Sequence, residues 1–169
     1  MEDRNVYVDF HITMEEGTSI FKANTLCSVY TSELDEAVVV GEATSYLFDP
    51  RKSTYEDIYG YAYSLSSSLS KTVSSLGNFC ELENLEGFVV VIQSYDMKEE
   101  WKFKGLEEAF FQKLLAQFPY LNVELVVYSA TVIDGTLFDK FDGTFEQEDG
   151  TTILYKHLQL EATPAELQR

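Results

Sequence analysis

FVVVIQSYDMKEEWKFKGLEEAFFQKLLAQFPYLNVELVVYSA, residues 88–130, is the stretch that decides the fold. Val89, Val90, Val91 and Ile92 form a continuous apolar run, the pattern of a strand buried on both faces. Lys98 to Gly105 is a charged turn with one glycine. Leu106, Ala109, Phe110, Leu114 and Phe118 then recur on one face of a helix, and Pro119 ends it. Val123 to Tyr128 is a second buried strand. Strand, helix and strand in this order predict a βαβ unit with parallel strands. The turn ahead of the helix is where an α/β protein can hold a phosphate, because the helix's unpaired N–H groups point into it. Lys98, Lys102 and Lys104 suit that use, while Glu99, Glu100, Glu107 and Glu108 oppose it.

Upstream, Val6, Val8, Phe10, Ile12 and Met14 alternate with polar residues, which predicts a half-buried strand. Glu15 to Thr18 is a turn, and Ile20 to Tyr30 a second strand. Ser32 to Glu36 is an acidic connector. Ala37 to Phe48 is a third strand, with Gly41 marking a bulge or bend. Short turns join these three strands as an antiparallel meander. Asp49 to Ser53 breaks the pattern. Ile58, Tyr61, Leu65, Leu69, Val73 and Leu76 then form one helical stripe, stopped near Gly77. Ser66 to Ser68 sits inside this stripe, and its unbroken apolar period favours a continuous helix. Asn78 to Gly87 is an acidic loop, 142–150 is acidic and turn-rich, and Thr151 to Leu160 is a last strand. Residues 161–169 read as a mobile tail. The expectation is one α/β (α+β) domain over 1–169, with a mixed central sheet, antiparallel N-terminal strands, a parallel βαβ unit and helices on both faces.

The chain carries 12 basic and 29 acidic residues, a formal net charge of -17. A nucleic-acid binder needs a basic surface to displace counterions, so direct nucleic-acid binding is not expected. Anionic membrane surfaces are disfavoured too, and no run reaches transmembrane length. A cationic amine or a basic protein suits the charge, and mimicry of DNA is a remoter use of it. Cys27 and Cys80 are isolated thiols, for which a reduced, cytoplasmic setting is the default. His11 and His157 pair with no metal-ligand spacing, so no metal site is expected. No Walker loop, HExxH motif or GxSxG elbow is present.

The order of elements resembles the GNAT superfamily of N-acetyltransferases over most of the chain. In that family the turn after the central strand follows Gln/Arg-x-x-Gly-x-Gly/Ala and cradles the pyrophosphate of acetyl-CoA. Here the matching run is Lys102-Phe103-Lys104-Gly105-Leu106-Glu107. The basic position and the central glycine are kept, and Glu107 replaces the small third residue. The resemblance implies cofactor contacts from the strand end at Met97 and Lys98, and from Lys102, Phe103, Lys104, Gly105 and Glu107. Glu107 brings bulk and a like charge to the phosphates. Two unit charges about 4 Å apart repel by roughly 4 kcal/mol at an effective dielectric near 20. The resemblance also implies a carboxylate base on the central strand, for which Asp96 is placed, and a tyrosine acid after the next strand. Phe138 and Phe141 stand where that tyrosine is sought, and phenylalanine donates no proton. Tyr128 and Ser129 are the candidates to substitute for it, and the alternative role for Tyr128 is a core tyrosine. Trp101, inside the turn, would either stack on a ligand or anchor the turn to the sheet. The reading implied is a GNAT-like protein whose acetyl transfer is weak or lost. The alternative is a non-catalytic acidic domain that binds a basic protein.

Overall fold

The computed structural model describes residues 5–30, 33, 36–102, 105–130 and 139–160. The predicted tail at 161–169 and Phe138 lie outside them. The described elements run β1 (Asn5–Met14), β2 (Phe21–Tyr30), β3 (Val38–Phe48), α1 (Tyr55–Leu65), α2 (Ser67–Ser75), β4 (Phe88–Met97), α3 (Leu106–Gln117), β5 (Val123–Ala130), β6 (Gly143–Glu146) and β7 (Thr152–His157). The strands make one sheet in the order β1-β2-β3-β4-β5-β7-β6. Only β4 and β5 pair in parallel; the other neighbours are antiparallel. This is the mixed sheet expected from the sequence, with the meander on one side of the βαβ unit.

The doubly apolar run of β4 is explained by a core on each face. Val90 and Ile92 pack with Phe110, Phe111, Leu114 and Phe118 under α3. Val89 and Val91 pack with Ile58, Leu69, Val73 and Leu76 under α1 and α2. Burying one such side chain contributes about 1.5–3 kcal/mol, so the two cores, not helix propensity, hold the helices in place, serine-rich α2 above all.

Three local expectations are corrected. The long helical stripe is two helices, because Ser66 is extended at φ -166° and ψ 133°. Its Oγ accepts from the Leu69 N–H at 3.2 Å and starts α2 as a new helix. Serine competes with the backbone ladder in this way, and the apolar period survives because both helices bury the same side. The 142–150 stretch contains a strand, β6, paired to β7. Gln147 ties that hairpin to α2, donating to Ser75 Oγ at 2.7 Å and to the Lys71 carbonyl at 3.1 Å. In β1 the apolar alternation runs past its cover: Val6 is 7% exposed, but Ile12 is 40% and Met14 63%.

Candidate functional site at the parting of two strands

The site is built where β4 and β5 separate. Their parallel pairing ends at Ile92 opposite Tyr128. Beyond it β4 continues beside β3 as far as Met97 opposite Gly41, while β5 continues beside β7. A bulge starts the parting. Ser94 faces Thr44 and Ile92 faces Ser45, so Gln93 is the extra residue. Such an insertion bends a strand and re-aims the side chains beyond it. Gln93 Nε2 donates to Ser66 Oγ at 2.7 Å. The bulge, the α1–α2 break and the last parallel rung therefore meet at one point. Gln93 did not stand out in the sequence, because it matters through a contact 27 residues away along the chain.

The turn from β4 to α3 is held mainly by backbone. The Lys98 N–H donates to the Val40 carbonyl at 2.8 Å. Glu99–Trp101 forms one 3-10 turn, and half-buried Trp101 packs against the α3 core. The ring is an anchor for the turn, one of its two expected uses. Lys102 Nζ lies 3.2 Å from Glu99 Oε1, so this lysine is engaged within the turn. Phe103 and Lys104 lie outside the described residues. Gly105 has φ 74°, a left-handed conformation that costs an L side chain roughly 1–2 kcal/mol. Nothing lies within 4 Å of a Cβ built there, so backbone conformation rather than crowding calls for glycine.

The N-cap of α3 is Gly105, which has no side chain to cap with, whereas Thr54 caps α1 and Ser66 caps α2. The first N–H groups of α3 thus face the turn without a side-chain acceptor at the cap. The two first-turn carboxylates are placed differently. Glu108 is drawn to Lys140 at 3.2 Å. Glu107 is half-buried, and its charge acts on Tyr95 of β4 and Tyr128 of β5. Burial first, and Glu107 second, push both phenols above their ordinary range. A carboxylate thus stands near the tyrosines that flank the parting.

Tyr128 is 9% exposed and sits on the last rung, between Phe111 at 5.3 Å and Phe141 at 6.5 Å between ring centroids. Tyr95 stacks on Phe110 at 5.1 Å and meets Phe111 edge-on at 4.8 Å. Tyr95 and buried Met97 both face α3, so alternation puts exposed Asp96 on the other face. The structure thus keeps Tyr128 on the α3 side and sets Asp96 on the opposite side of the sheet. Asp96 has a companion the sequence did not reveal: Glu42 is its direct partner on β3. Directly opposed like charges are destabilising. Gly41 permits the close approach of these strands, since a Cβ there would lie 2.9 Å from the Asp96 carbonyl oxygen. Cys27 is buried beside the α3 core, its thiol pushed up to about 11 by burial, so it is no nucleophile at neutral pH.

No family sequence model and no curated protein sequence matches this chain. Solved structures do share its fold. A polyamine N-acetyltransferase of Drosophila melanogaster, which forms N-acetylagmatine, aligns with a TM-score of 0.51 at 11% identity, over 83% of this chain and 75% of that one. An apo mutant of an agmatine N-acetyltransferase aligns with a TM-score of 0.50 at 12% identity, over 83% and 76%. Identity this low bears on architecture alone. The parallel β4–β5 pair, the helix between them and the antiparallel meander agree with those enzymes: the chain has the fold of the GNAT N-acetyltransferases.

Proposed function

We propose that this protein is an N-acetyltransferase-like domain that recognises a cationic amine and whose acetyl transfer from acetyl-CoA is slow or lost. The observation that carries the reading is Glu107, a half-buried carboxylate in the first turn of α3, directly after the left-handed glycine of the turn. The turn suits a pyrophosphate in its backbone, through left-handed Gly105 and a helix start without a side-chain cap. It does not suit one in its charge: Glu107 lies in the first turn of the helix, and Lys102 pairs with Glu99. Acetyl-CoA therefore does not fit the charge of the site as it stands.

The amine end of the reading rests on Asp96 and Glu42. A bound ammonium would relieve the repulsion between these facing carboxylates, and Asp96 would accept a proton from it. Tyr128 stays protonated at neutral pH and remains a hydrogen-bond donor at the vertex. Both structural neighbours are named for acetylation of amines, which agrees with this choice of ligand.

Calorimetric titration of acetyl-CoA into the wild type and Glu107→Gln tests the reading. The wild type should give no saturable heat below millimolar cofactor, and the variant should bind at least tenfold tighter, about 1.4 kcal/mol. Micromolar binding by the wild type would show the cradle intact. Equal binding by both would remove Glu107 as the obstacle. Agmatine added in a thiol-release assay separates the two functional readings. Slow release marks a weak enzyme. Agmatine binding without release, lost in Asp96→Asn, marks a recognition domain.

A further inference from the structure

The outer strand of the sheet carries features that the amine site does not use. Among the described residues β1 has β2 as its only neighbour, which leaves a ten-residue edge. Exposed edges are commonly blunted by lysine, proline or bulges. NVYVDFHITM holds neither lysine nor proline, and its pairing with β2 runs from Asn5 to Met14 without a register shift. Ile12 and Met14 project from the α3 side of the sheet, 40% and 63% exposed. At the other end of the strand a groove of about 440 Å³ opens between β1 and α3, lined by Val6, Ala109, Gln112, Lys113 and Ala116 among others.

We propose that this edge pairs with β1 of a second copy, antiparallel about a two-fold axis at Phe10, so that two sheets join into one. The register is set by the residues. With Phe10 opposite itself, Asp9 faces His11 of the second copy, and His11 faces its Asp9. The carboxylates accept from the imidazoles on the helix-free side of β1. On the α3 side Ile12 faces Val8, and Met14 faces Val6, beside the groove. The most exposed apolar side chains on this side of β1 thus enter the space the other copy leaves open. A two-residue slip towards the N-terminus sets Asp9 against Asp9, a like-charge pair. A slip in the other direction sets His11 against His11 and leaves Asp9 facing threonine. The interface is isologous and closes at two copies.

The net charge of -17 on each copy opposes association, so salt should favour it. Sedimentation of the full chain, from micromolar to hundreds of micromolar, at about 0.15 M and about 0.5 M salt tests this. The mass should rise from 19.3 kDa towards twice that value, at lower concentration in the higher salt. Ile12→Lys with Met14→Lys should weaken association at least tenfold while circular dichroism and melting stay as in the wild type. The register is read by cysteine oxidation. Asp9→Cys with His11→Cys should form a covalent dimer, and Asp9→Cys alone should not. A wild type at 19.3 kDa throughout, a lysine variant that associates equally well, or efficient cross-linking by Asp9→Cys alone each overturns the proposal.

Discussion

Two strand-to-helix turns in this molecule serve opposite ends. The turn from β3 to α1 satisfies itself. Asp49, 6% exposed, accepts from the Arg51 N–H at 2.9 Å and from Arg51 Nε and Nη2 at 3.1 Å each. The Lys52 N–H reaches the Asp49 carbonyl at 3.1 Å, and Thr54 Oγ1 caps α1 through Asp57 at 3.2 Å. The turn from β4 to α3 has the same task of reversing the chain but no side-chain cap, a left-handed glycine and a carboxylate beside the helix start. One turn spends its polar groups on stability. The other starts its helix at a left-handed glycine, which has no side chain to cap it, and carries Glu107 and Glu108 in the first turn. The contrast is between a helix start met by its own side chains and one that is not.

If α3 is held by its buried face instead of its cap, the largest loss in this pair of turns should come from that face. Phe110 is 0% exposed, and Phe110→Ala should cost about 3–5 kcal/mol in urea unfolding. A loss under about 1 kcal/mol would mean that the α3 end is loosely packed. On the self-satisfied side, Asp49→Ala should cost about 2 kcal/mol, since several bonds to a charged, buried carboxylate vanish together. Burial alone would raise the Asp49 pKa, but the Arg51 bonds outweigh it and hold the carboxyl below its usual range. A lowered folded-state pKa stabilises fully above the unfolded value of about 3.9 and loses its effect as pH falls through the folded value. The gap between wild type and Asp49→Asn should therefore shrink below about pH 4, and a constant gap would break the assignment. Smaller again, Thr54→Ala and Gly105→Ala should each cost about 1 kcal/mol, for different reasons. The first strips a cap. The second strains a φ of 74° without a clash, so Gly105→Asn should recover part of the loss.

How much of this was legible in the sequence divides along the same line. The β4–α3–β5 unit was, because two doubly apolar runs around a periodic helix leave few alternatives. The α1–α2 break was not: Ser66 changes the backbone without disturbing the apolar period. Strand β6 was hidden by acidic, turn-forming neighbours, and its ladder to β7 supplies what propensity lacked. Within the site, the turn residues and Tyr128 were named through the family resemblance, and the fold puts Tyr128 on the last parallel rung. Glu42 could not be named in that way, since its meeting with Asp96 depends on the β3–β4 register. The opposite faces of Asp96 and Tyr128 also depend on one inserted residue, Gln93, and alternation counted without it puts side chains on the wrong side.

The smallest expected effect sits at the parting itself. Among the described residues the buried Tyr95 hydroxyl has no hydrogen-bond partner, although its ring is well stacked. Removing an unsatisfied buried hydroxyl takes away a desolvation cost and leaves the ring contacts in place. Tyr95→Phe should therefore be neutral at pH 7 or stabilising by up to about 1 kcal/mol. Burial first, and Glu107 next, raise this phenol's pKa in the folded chain. The stability that favours the neutral form is then whole below the unfolded pKa of about 10 and is lost as pH rises towards the folded value. Tyr95→Phe should flatten that alkaline decline, while Tyr128, also raised, leaves a remainder. Glu107→Gln should lower the phenol's pKa towards its ordinary value and soften the same decline. If Tyr95→Phe instead costs more than about 1 kcal/mol at pH 7, the hydroxyl holds an acceptor there. The parting would then be as internally satisfied as the β3–α1 turn, and the contrast between the two turns would fail.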